Sequence, residues 1–557
     1  MVALGARTSW TRQARLASLI GVWLVVLCFV SLWLAAGEVK NIHSYVKETG
    51  EGIGSKFITK CDNSSEVAQI ARLEAQVATQ RTEADKQRAE ADKHRSEADK
   101  QRAEADKQRD ATNRLTKWNG GPMCSQHIVD ALADLDEKWG RLGLDMSVAH
   151  WGTGARVRRA LAKLLKGDEE FTIGVLGGSL TFGHGLQKDD KRYPTLVEEG
   201  LKKVFPSAKI KVVNGAVPAT GTDYFQACYG HHVPEESDLF VLEAAVNDLI
   251  VEEEHKGGGL AVDTTIHTEH LVRDILGRRP DNAILMLSAF GSSKVWFNGA
   301  DKHSTVAAFY DIPRVTMRTY LYQYILQNKD SQLEFYGADD KDHPIQSGHE
   351  FMADILLYYL LREACRAESF VAAAPDAGAL TDGARYPGLS GSKLKHHFDP
   401  FALPRIRVHD NIFSGKVPEV HSFCRSVNTR DADDKPALFP SSKTGDWEEV
   451  GWNDKHFWSS QTPGEKITFS DIPVSEGSLS VYYLRGPNEG TMVCWYDDQR
   501  DKATILQGFW NYVKVGSLGI VATNLPAKNY TLTCEISAET KARGNETAVH
   551  IISVMTS

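Results

Sequence analysis

The pattern of hydrophobic and polar positions changes several times along the 557-residue chain. Residues 16–36 are uncharged and mostly apolar, and residues 66–117 repeat the unit EADKQRA with a period of seven. Between residues 118 and 370, short apolar runs alternate with stretches whose apolar residues recur at helical spacing. Beyond residue 405, short segments alternate apolar and polar positions. These patterns predict a membrane-spanning helix, a long polar helix, an α/β domain and an all-β domain, in that order.

The apolar run at residues 16–36 is long enough to cross a lipid bilayer as a helix. Arg7, Arg12 and Arg15 precede it, with no acidic residue among them. The positive-inside rule therefore predicts a single-pass type II protein whose cytosolic tail is residues 1–15. A cleaved signal peptide is the alternative, although the run exceeds a typical signal-peptide core. We expect the bilayer to be a partner of this segment and the rest of the chain to face the lumen of the Golgi or secretory pathway, or the cell surface.

A heptad repeat at residues 66–117 follows a linker at residues 37–65. No proline or glycine interrupts the repeat, and its composition favours a helix. The seam between helices would be apolar only at its ends, so a dimeric coiled coil would be weak. Opposite charges three residues apart equally suit a solitary helix with a charged surface, and both alternatives stay open. Either form would span roughly 80 Å as a stalk, and a homodimer through the stalk is one of the two outcomes.

The middle part of the chain, residues 118–370, shows the alternation typical of an α/β domain. Apolar runs such as residues 171–176 and 283–290 predict strands, while residues 314–327 and 350–365 have the pattern of helices. Strands that alternate with helices predict a parallel sheet covered by helices on both faces. In such a sheet, functional side chains gather at the carboxyl ends of the strands.

The last part of the chain, residues 405–557, follows a linker at residues 371–404 and predicts an antiparallel β-sandwich or jelly roll. Tryptophans that are exposed on such a domain can stack on sugars, whereas buried tryptophans belong to its core. The sequence leaves both interpretations open. The tryptophans concerned are Trp447, Trp452, Trp458, Trp495 and Trp510.

The composition narrows the classes of partner. With 64 basic and 73 acidic residues the formal charge is −9, which is not the balance of a nucleic-acid-binding protein, and we expect no nucleic acid as a partner. No spacing of cysteine and histidine suggests a zinc site, so we expect neither a metal nor a cofactor.

The cysteines and glycosylation sequons agree with an oxidising compartment. Outside the apolar run the chain has seven cysteines, an odd number, and Cys61 in the stem is the natural candidate for a bridge between chains. Cys494 and Cys534 lie about 40 residues apart in two strand-like segments, and we predict that they form a disulfide. The predicted N-glycosylation sites are Asn63, Asn529 and Asn545.

Candidate hydrolytic chemistry follows several of the predicted strands. The apolar run at residues 171–176 ends in a Gly-Gly-Ser turn, which can present the hydroxyl of Ser179. Asn247 follows another apolar strand, and Asp340 precedes His343 by three residues. A serine hydroxyl becomes a nucleophile when a histidine takes its proton and a carboxylate orients that histidine. An amide such as that of Asn247 can stabilise the oxyanion of a tetrahedral intermediate.

Together with a strand and a glycine-containing loop at residues 211–225, these segments resemble the four sequence blocks of the SGNH (GDSL-like) hydrolase family. The resemblance covers roughly residues 150–370 and implies a flavodoxin-like α/β fold in which helices sandwich a parallel sheet. It also implies that Ser179 is the nucleophile, His343 the general base and Asp340 the carboxylate that orients the base.

The same resemblance implies an oxyanion hole. The sequence departs from the family pattern at three positions, because Gly178 replaces the usual acidic residue and alanine replaces glycine at Ala219 and Ala245. None of these changes removes a member of the triad, and alanine keeps the backbone N–H. The implied oxyanion donors are the backbone N–H of Ser179, the side-chain amide of Asn247 and a backbone N–H at Ala219 or Gly221.

Together with the predicted membrane anchor, this resemblance leads us to expect a membrane-anchored serine esterase that transfers an acyl group to Ser179 and then to water. A sugar hydroxyl as the acceptor would instead make it a glycan O-acyltransferase, and an inert glycan-binding surface protein is the alternative outside enzymes. The loops at residues 183–192 and 339–346 are rich in Gly, Asp, Lys and His, which suits a hydrated glycan better than a lipid tail. We therefore predict that the substrate is a short acyl ester, most simply an acetate, on a glycan.

Overall fold

The computed structural model describes residues 124–556, except 249–263, 280, 295, 374–398, 400, 418–420, 429–436, 453–454, 476 and 512–513. The predicted membrane span, the heptad stalk, Cys61 and Asn63 lie outside these residues. Within the described residues, no helix is both long enough and apolar enough to cross a membrane.

A six-stranded sheet organises the α/β half of the described chain. Its strands are β1 (Val148–His150), β2 (Glu170–Gly177), β3 (Lys209–Asn214), β4 (Leu239–Glu243), β5 (Ala283–Ser288) and β6 (Arg314–Thr316). They lie in the order β1-β6-β5-β4-β2-β3, and neighbours pair in parallel except β1 and β6, which are antiparallel. The predicted α/β class is therefore confirmed, but the sheet is mixed at one edge rather than wholly parallel.

Helices cover both faces of this sheet. They are α1 (Gln126–Trp139), α2 (Arg141–Met146), α3 (Ala155–Lys166), α4 (Ser179–Phe182), α5 (Tyr193–Val204), α6 (Thr222–Cys228), α7 (Thr264–Arg278), α8 (Gly299–Phe309), α9 (Gln323–Gln327), α10 (Gln332–Phe335) and α11 (Gln346–Ala373). Successive strand residues point to opposite faces, so Val241 packs with α3, α5 and α11 while Phe240 packs with α6 and α7. The expectation that residues 314–327 are wholly helical is wrong, because this stretch begins with strand β6.

Two antiparallel sheets make up the other half. Their strands are β7 (Phe423–Ser426), β8 (Ser442–Lys443), β9 (Glu448–Trp452), β10 (Lys455–Ser460), β11 (Lys466–Val474), β12 (Gly477–Arg485), β13 (Thr491–Tyr496), β14 (Thr504–Gln507), β15 (Val515–Leu525), β16 (Lys528–Ile536) and β17 (Val549–Thr556). One sheet has the order β15-β12-β17-β10-β9, with β7 also paired to β17, and the other has the order β14-β13-β16-β11-β8. Side chains from both sheets, such as Val481 and Leu532, share one buried apolar cluster. The predicted all-β domain is confirmed.

The tryptophans of this domain serve mainly in its core. Trp452, at the end of β9, is the exception among the five named above, because 48% of its surface is exposed. The interpretation that the tryptophans stack on sugars is therefore wrong for the four buried rings, which are Trp447, Trp458, Trp495 and Trp510.

The two halves share buried structure. Tyr224 and Phe225 of α6 belong to the same apolar cluster as Phe457 and Tyr482 of the β domain. The Tyr224 hydroxyl also lies 3.1 Å from the Ser426 hydroxyl of β7. Because one apolar cluster crosses the boundary, the β domain is packed directly against the helices that follow the carboxyl edge of the sheet.

Residues 401–417 also belong with the α/β half. The Arg273 guanidinium donates to the carbonyl of Pro404 at 3.0 Å, and the Val408 N–H donates to Glu269 at 2.8 Å. The first strand of the β domain begins at Phe423.

Disulfides tie distant parts of the chain together. Cys494 and Cys534 are bonded and lie directly opposite each other on β13 and β16. The asparagines of the two sequons in this domain, at Asn529 and Asn545, are exposed. The other disulfides among the described residues are Cys124–Cys365 and Cys228–Cys424.

Candidate active site

Ser179 lies at the carboxyl edge of the sheet, two residues beyond the end of β2, and begins the short helix α4. The two glycines before it are required by close contacts. A Cβ at Gly177 would lie 2.1 Å from the Thr181 hydroxyl oxygen, and a Cβ at Gly178 would lie 2.0 Å from Asn247 Nδ2. An acidic residue at position 178, as in the family pattern, would therefore require the Asn247 amide to move from its present position.

The structure brings Ser179, His343 and Asp340 together in a chain of hydrogen bonds. His343 Nε2 lies 2.8 Å from Ser179 Oγ, and His343 Nδ1 lies 2.6 Å from Asp340 Oδ2. An ionised carboxylate can only accept, so the proton of the neutral imidazole belongs on Nδ1. Nε2 is then the acceptor for the Ser179 hydroxyl, which is the arrangement that a general base requires.

Asp340 is held in place by its own loop. Its Oδ1 accepts hydrogen bonds from the backbone N–H groups of Asp342 at 3.0 Å and His343 at 3.2 Å. Partial burial raises the pKa of Asp340, but these N–H groups and the His343 imidazole outweigh that effect and bring the pKa below its ordinary value. Asp340 therefore stays ionised at neutral pH and can orient the imidazole.

The triad faces solvent. About half of the Asp340 side chain and 22% of the His343 side chain are exposed. The turn at residues 183–185 packs against His343. A Cβ at Gly185 would lie 3.0 Å from His343 Cβ, and the centre of the His184 ring is 5.3 Å from that of the His343 ring. A substrate in the solvent can therefore approach the triad without the opening of a buried cavity.

The loop after β3 is fixed by the residues that follow β4. Asn247 Nδ2 donates to the carbonyl of Thr220 at 2.9 Å. The Asp248 carboxylate accepts from both the backbone N–H and the hydroxyl of Thr222, each at 2.8 Å. His303 on α8 lies 2.6 Å from Asp248 Oδ2, the carboxylate oxygen that also accepts from the Thr222 hydroxyl. The amide of Asn247 has two N–H donors, so one remains for a ligand.

The candidate oxyanion donors Ala219 and Gly221 lie in this loop, between β3 and α6. Ala219 has a φ of 53°, in the left-handed region that a residue with a side chain rarely adopts. A Cβ at Gly221 would lie 2.2 Å from Asp248 Oδ1, so the loop needs glycine there. The structure thus brings the second and third sequence segments together beside the turn that carries Ser179.

Glu243, at the end of β4, is a site residue that sequence reasoning missed. It is 1% exposed, and its Oε2 accepts from the Thr181 hydroxyl at 2.9 Å. Its Oε1 has no hydrogen-bond partner among the described residues. Burial raises the pKa of Glu243 to about 8, and hydrogen bonds from Thr181 and the Gly178 N–H offset only part of this effect. At neutral pH, a buried carboxyl group that is largely protonated therefore supports the turn before Ser179.

A cleft of about 270 Å³ separates the loop after β3 from the β domain. The α/β half contributes Asn214 and Pro218 to its wall, and the β domain contributes Asn428, Lys455 and His456. Lys455 Nζ crosses the domain boundary and donates to the carbonyl of Pro218 at 2.5 Å.

The missed residues differ in how visible they are in the sequence. Glu243 is an acid at the end of an otherwise apolar strand, which is a usable signal of a buried polar role, and Asp248 directly follows Asn247. Lys455 carries no such signal. Within the described part of the chain, no group of three or more His, Cys, Asp or Glu side chains is arranged to hold a metal ion.

No protein-family model matches the chain, and no curated protein is similar enough to match it. Among solved structures, the chain is similar to a two-domain esterase (CEX) active on acetylated mannans, with a TM-score of 0.51 and 19% identity over 74% of this chain and 98% of that chain. The structure of that type of esterase co-crystallised with mannopentaose gives a TM-score of 0.51 and 18% identity over 74% and 97%. A variant of Axe2, an acetyl-xylooligosaccharide esterase from Geobacillus, gives a TM-score of only 0.27 and 18% identity over 34% and 94%. At these identities the first two comparisons establish a shared two-domain fold.

Proposed function

We propose that this protein is a serine esterase of the SGNH type that removes short acyl groups, most simply acetyl groups, from glycans. The observation that carries the proposal is the position of His343, which lies within hydrogen-bond distance of both the Ser179 hydroxyl and the Asp340 carboxylate. This is the geometry by which a histidine takes a proton from a serine while a carboxylate stabilises the resulting imidazolium.

The reaction follows from this geometry. Ser179 Oγ attacks the ester carbonyl as its proton moves to His343 Nε2, and the negative oxygen that forms is stabilised by the Asn247 amide and backbone N–H groups of Ser179 and Ala219 or Gly221. His343 then gives the proton to the departing alcohol of the glycan, and an acyl-enzyme remains on Ser179. Water, deprotonated by His343, then attacks the acyl carbon of the acyl-enzyme. The bond from that carbon to Ser179 Oγ breaks, His343 returns the proton to Ser179 Oγ, and the free acid leaves.

Two observations favour a hydrated substrate. The triad is open to solvent. The cleft between the loop after β3 and the β domain, which Phe182 of α4 also lines, presents polar side chains, Asn428, Lys455 and His456, which can bind hydroxyl groups. The solved structures with the same two-domain fold are of an esterase active on acetylated mannans, which supports an acetylated glycan as the substrate class.

The cellular setting belongs to the same proposal. We infer that residues 16–36 anchor the chain in the bilayer and that the stalk carries the esterase on the lumenal or extracellular side. The disulfides Cys124–Cys365, Cys228–Cys424 and Cys494–Cys534 support an oxidising compartment.

The test is hydrolysis of p-nitrophenyl acetate and of acetylated mannan by the purified full-length protein and by its Ser179→Ala variant. We expect turnover of both substrates and a loss of roughly a million-fold in kcat when the nucleophile is removed. Ser207→Ala is the matched control, because Ser207 is exposed in the turn that precedes β3, away from the carboxyl edge of the sheet. A Ser179→Ala variant that keeps most of its activity would refute the proposal. Turnover of p-nitrophenyl acetate without release of acetate from any acetylated glycan would refute the substrate class.

A further inference from the structure

We propose that Lys455 of the β domain is a positioning residue for the oxyanion hole, which makes the β domain part of the catalytic unit. The inference rests on the proposed function and takes Ala219, rather than Gly221, as the residue of the loop after β3 whose backbone N–H stabilises the oxyanion. Lys455 lies on β10, 237 residues away in sequence from its contact in that loop.

The contact fixes one particular peptide unit. Lys455 Nζ donates to the carbonyl oxygen of Pro218 at 2.5 Å. The same peptide carries the N–H of Ala219, and in a trans peptide the C=O and N–H bonds point in opposite directions. A lysine that holds the Pro218 oxygen therefore also fixes the direction of the Ala219 N–H, on the side of the peptide away from Lys455.

The held orientation is one that Ala219 would not choose by itself. Its φ of 53° lies in the left-handed region, where the Cβ of alanine is crowded by the backbone. Rotation of the peptide between Pro218 and Ala219 would bring φ to a negative, unstrained value and would turn the Ala219 N–H away from its present direction. The hydroxyl of Thr220 also reaches the Pro218 oxygen, but at 3.3 Å and without a full charge. Lys455 supplies the charge-assisted hydrogen bond that opposes the rotation.

The rest of the loop is held from the α/β side. Asn247 holds the carbonyl of Thr220, and Asp248 holds the N–H and the hydroxyl of Thr222. The peptide between Pro218 and Ala219 comes just before these contacts, at the side of the loop that faces the cleft. A cation on the Pro218 oxygen also polarises this peptide, which makes the Ala219 N–H a stronger donor to a developing negative charge.

The test compares Lys455→Met and Lys455→Arg with the wild-type protein, using the full-length chain and p-nitrophenyl acetate. Outright loss of an oxyanion donor costs roughly 10² to 10³ in kcat, so a donor that is left in place but loosely held should cost about tenfold in kcat, with little change in KM. Arginine keeps the charge and should restore most of the loss. Lys528→Met is the matched control, since it removes a lysine paired with Asp497 elsewhere in the β domain and should leave kcat unchanged.

A second substitution separates positioning from a general loss of structure. Glycine at position 219 accepts a positive φ without strain. The Lys455→Met substitution should therefore lower kcat by a smaller factor in an Ala219→Gly background than in the wild-type background. An equal factor in both backgrounds, or a Lys455→Met variant as active as the wild type, would overturn the inference.

The outcome for Ser179→Ala, measured in parallel, distinguishes the two levels of the proposal. If Ser179→Ala is inactive and Lys455→Met is fully active, the esterase stands and the role of Lys455 is wrong. If Ser179→Ala is as active as the wild type, the proposed function is wrong and the role of Lys455 falls with it.

Discussion

Replacing Glu243 with glutamine should make the stability of this protein less sensitive to pH. The side chain is buried behind the turn that carries Ser179, and its Oε2 accepts a hydrogen bond from Thr181. Glutamine has the shape of a protonated glutamate, keeps an oxygen for the hydroxyl of Thr181, and cannot lose a proton. The substitution therefore fixes the side chain in the neutral form that burial already favours.

The magnitude follows from the pKa of the carboxyl group. Burial, reinforced by the charge of Asp248, raises the pKa of Glu243 from 4.5 to about 8. Between these two values the unfolded chain has lost the proton while the folded protein keeps it, so the free energy of unfolding falls as the pH rises. The slope is about 1.4 kcal/mol for each pH unit, and the wild type should lose about 3 kcal/mol from this one group between about pH 5.5 and 7.5.

The assay is thermal or urea unfolding of the wild type and the Glu243→Gln variant across this pH range. Asp223 and Asp274, whose pKa values burial raises to about 7 and about 6, titrate in the same direction, but they are present in both proteins and cancel in the difference. Glu236→Gln is the control, because Glu236 is an exposed glutamate just before β4. The advantage of Glu243→Gln over the wild type should grow with pH, and two parallel curves would refute the reasoning.

Other expected outcomes concern the site and the β domain. Asn247→Ala should lower kcat for p-nitrophenyl acetate by roughly 10² to 10³ while the thermal midpoint changes little, and a variant with normal kcat would remove Asn247 from the oxyanion hole. Gly178→Ala should also lower activity strongly, since its Cβ would meet Asn247 Nδ2 at 2.0 Å, and unchanged kinetics would show that this contact is unimportant. Replacing Cys494 and Cys534 with serine should lower the free energy of unfolding by roughly 3–4 kcal/mol, as measured by urea unfolding. Unchanged stability, together with free thiols at both positions in peptide mapping of the wild type, would contradict this prediction. In a series of p-nitrophenyl esters from acetate to palmitate, kcat/KM should fall with chain length, and a rise would indicate a lipase.

The parts of the site that could be predicted from the sequence are those encoded over a few residues. A Gly-Gly-Ser turn after an apolar run indicates where Ser179 lies, and a three-residue spacing pairs Asp340 with His343. Parallel strands then bring their carboxyl ends to one edge of the sheet, which is why segments far apart in the chain meet. The sequence therefore indicates which strands and loops carry the triad, whereas the distances between its side chains are known only from the structure.

Other features depend on contacts that no local pattern encodes. Lys455 meets Pro218 only because the β domain packs against α6, and nothing near either residue in the sequence indicates this. Strand β6 is three residues long and leads directly into helical turns, so the apolar spacing of residues 314–327 as a whole is that of a helix. The role of the tryptophans could not be predicted from the sequence either, because a hydrophobic core and a sugar-binding surface both use aromatic rings.

The apolar cluster that crosses from α6 and α7 into the β domain has a consequence for how such a chain can be inherited. If a gene fragment encoded only the α/β half, the resulting protein would expose the side chains of Tyr224 and Phe225 to water. An exposed apolar surface of this kind promotes aggregation. Recombination that exchanged the β half for an unrelated module would meet the same barrier. The two halves should therefore be inherited together, and engineered fusions of this protein should carry residues 124–556 as one piece.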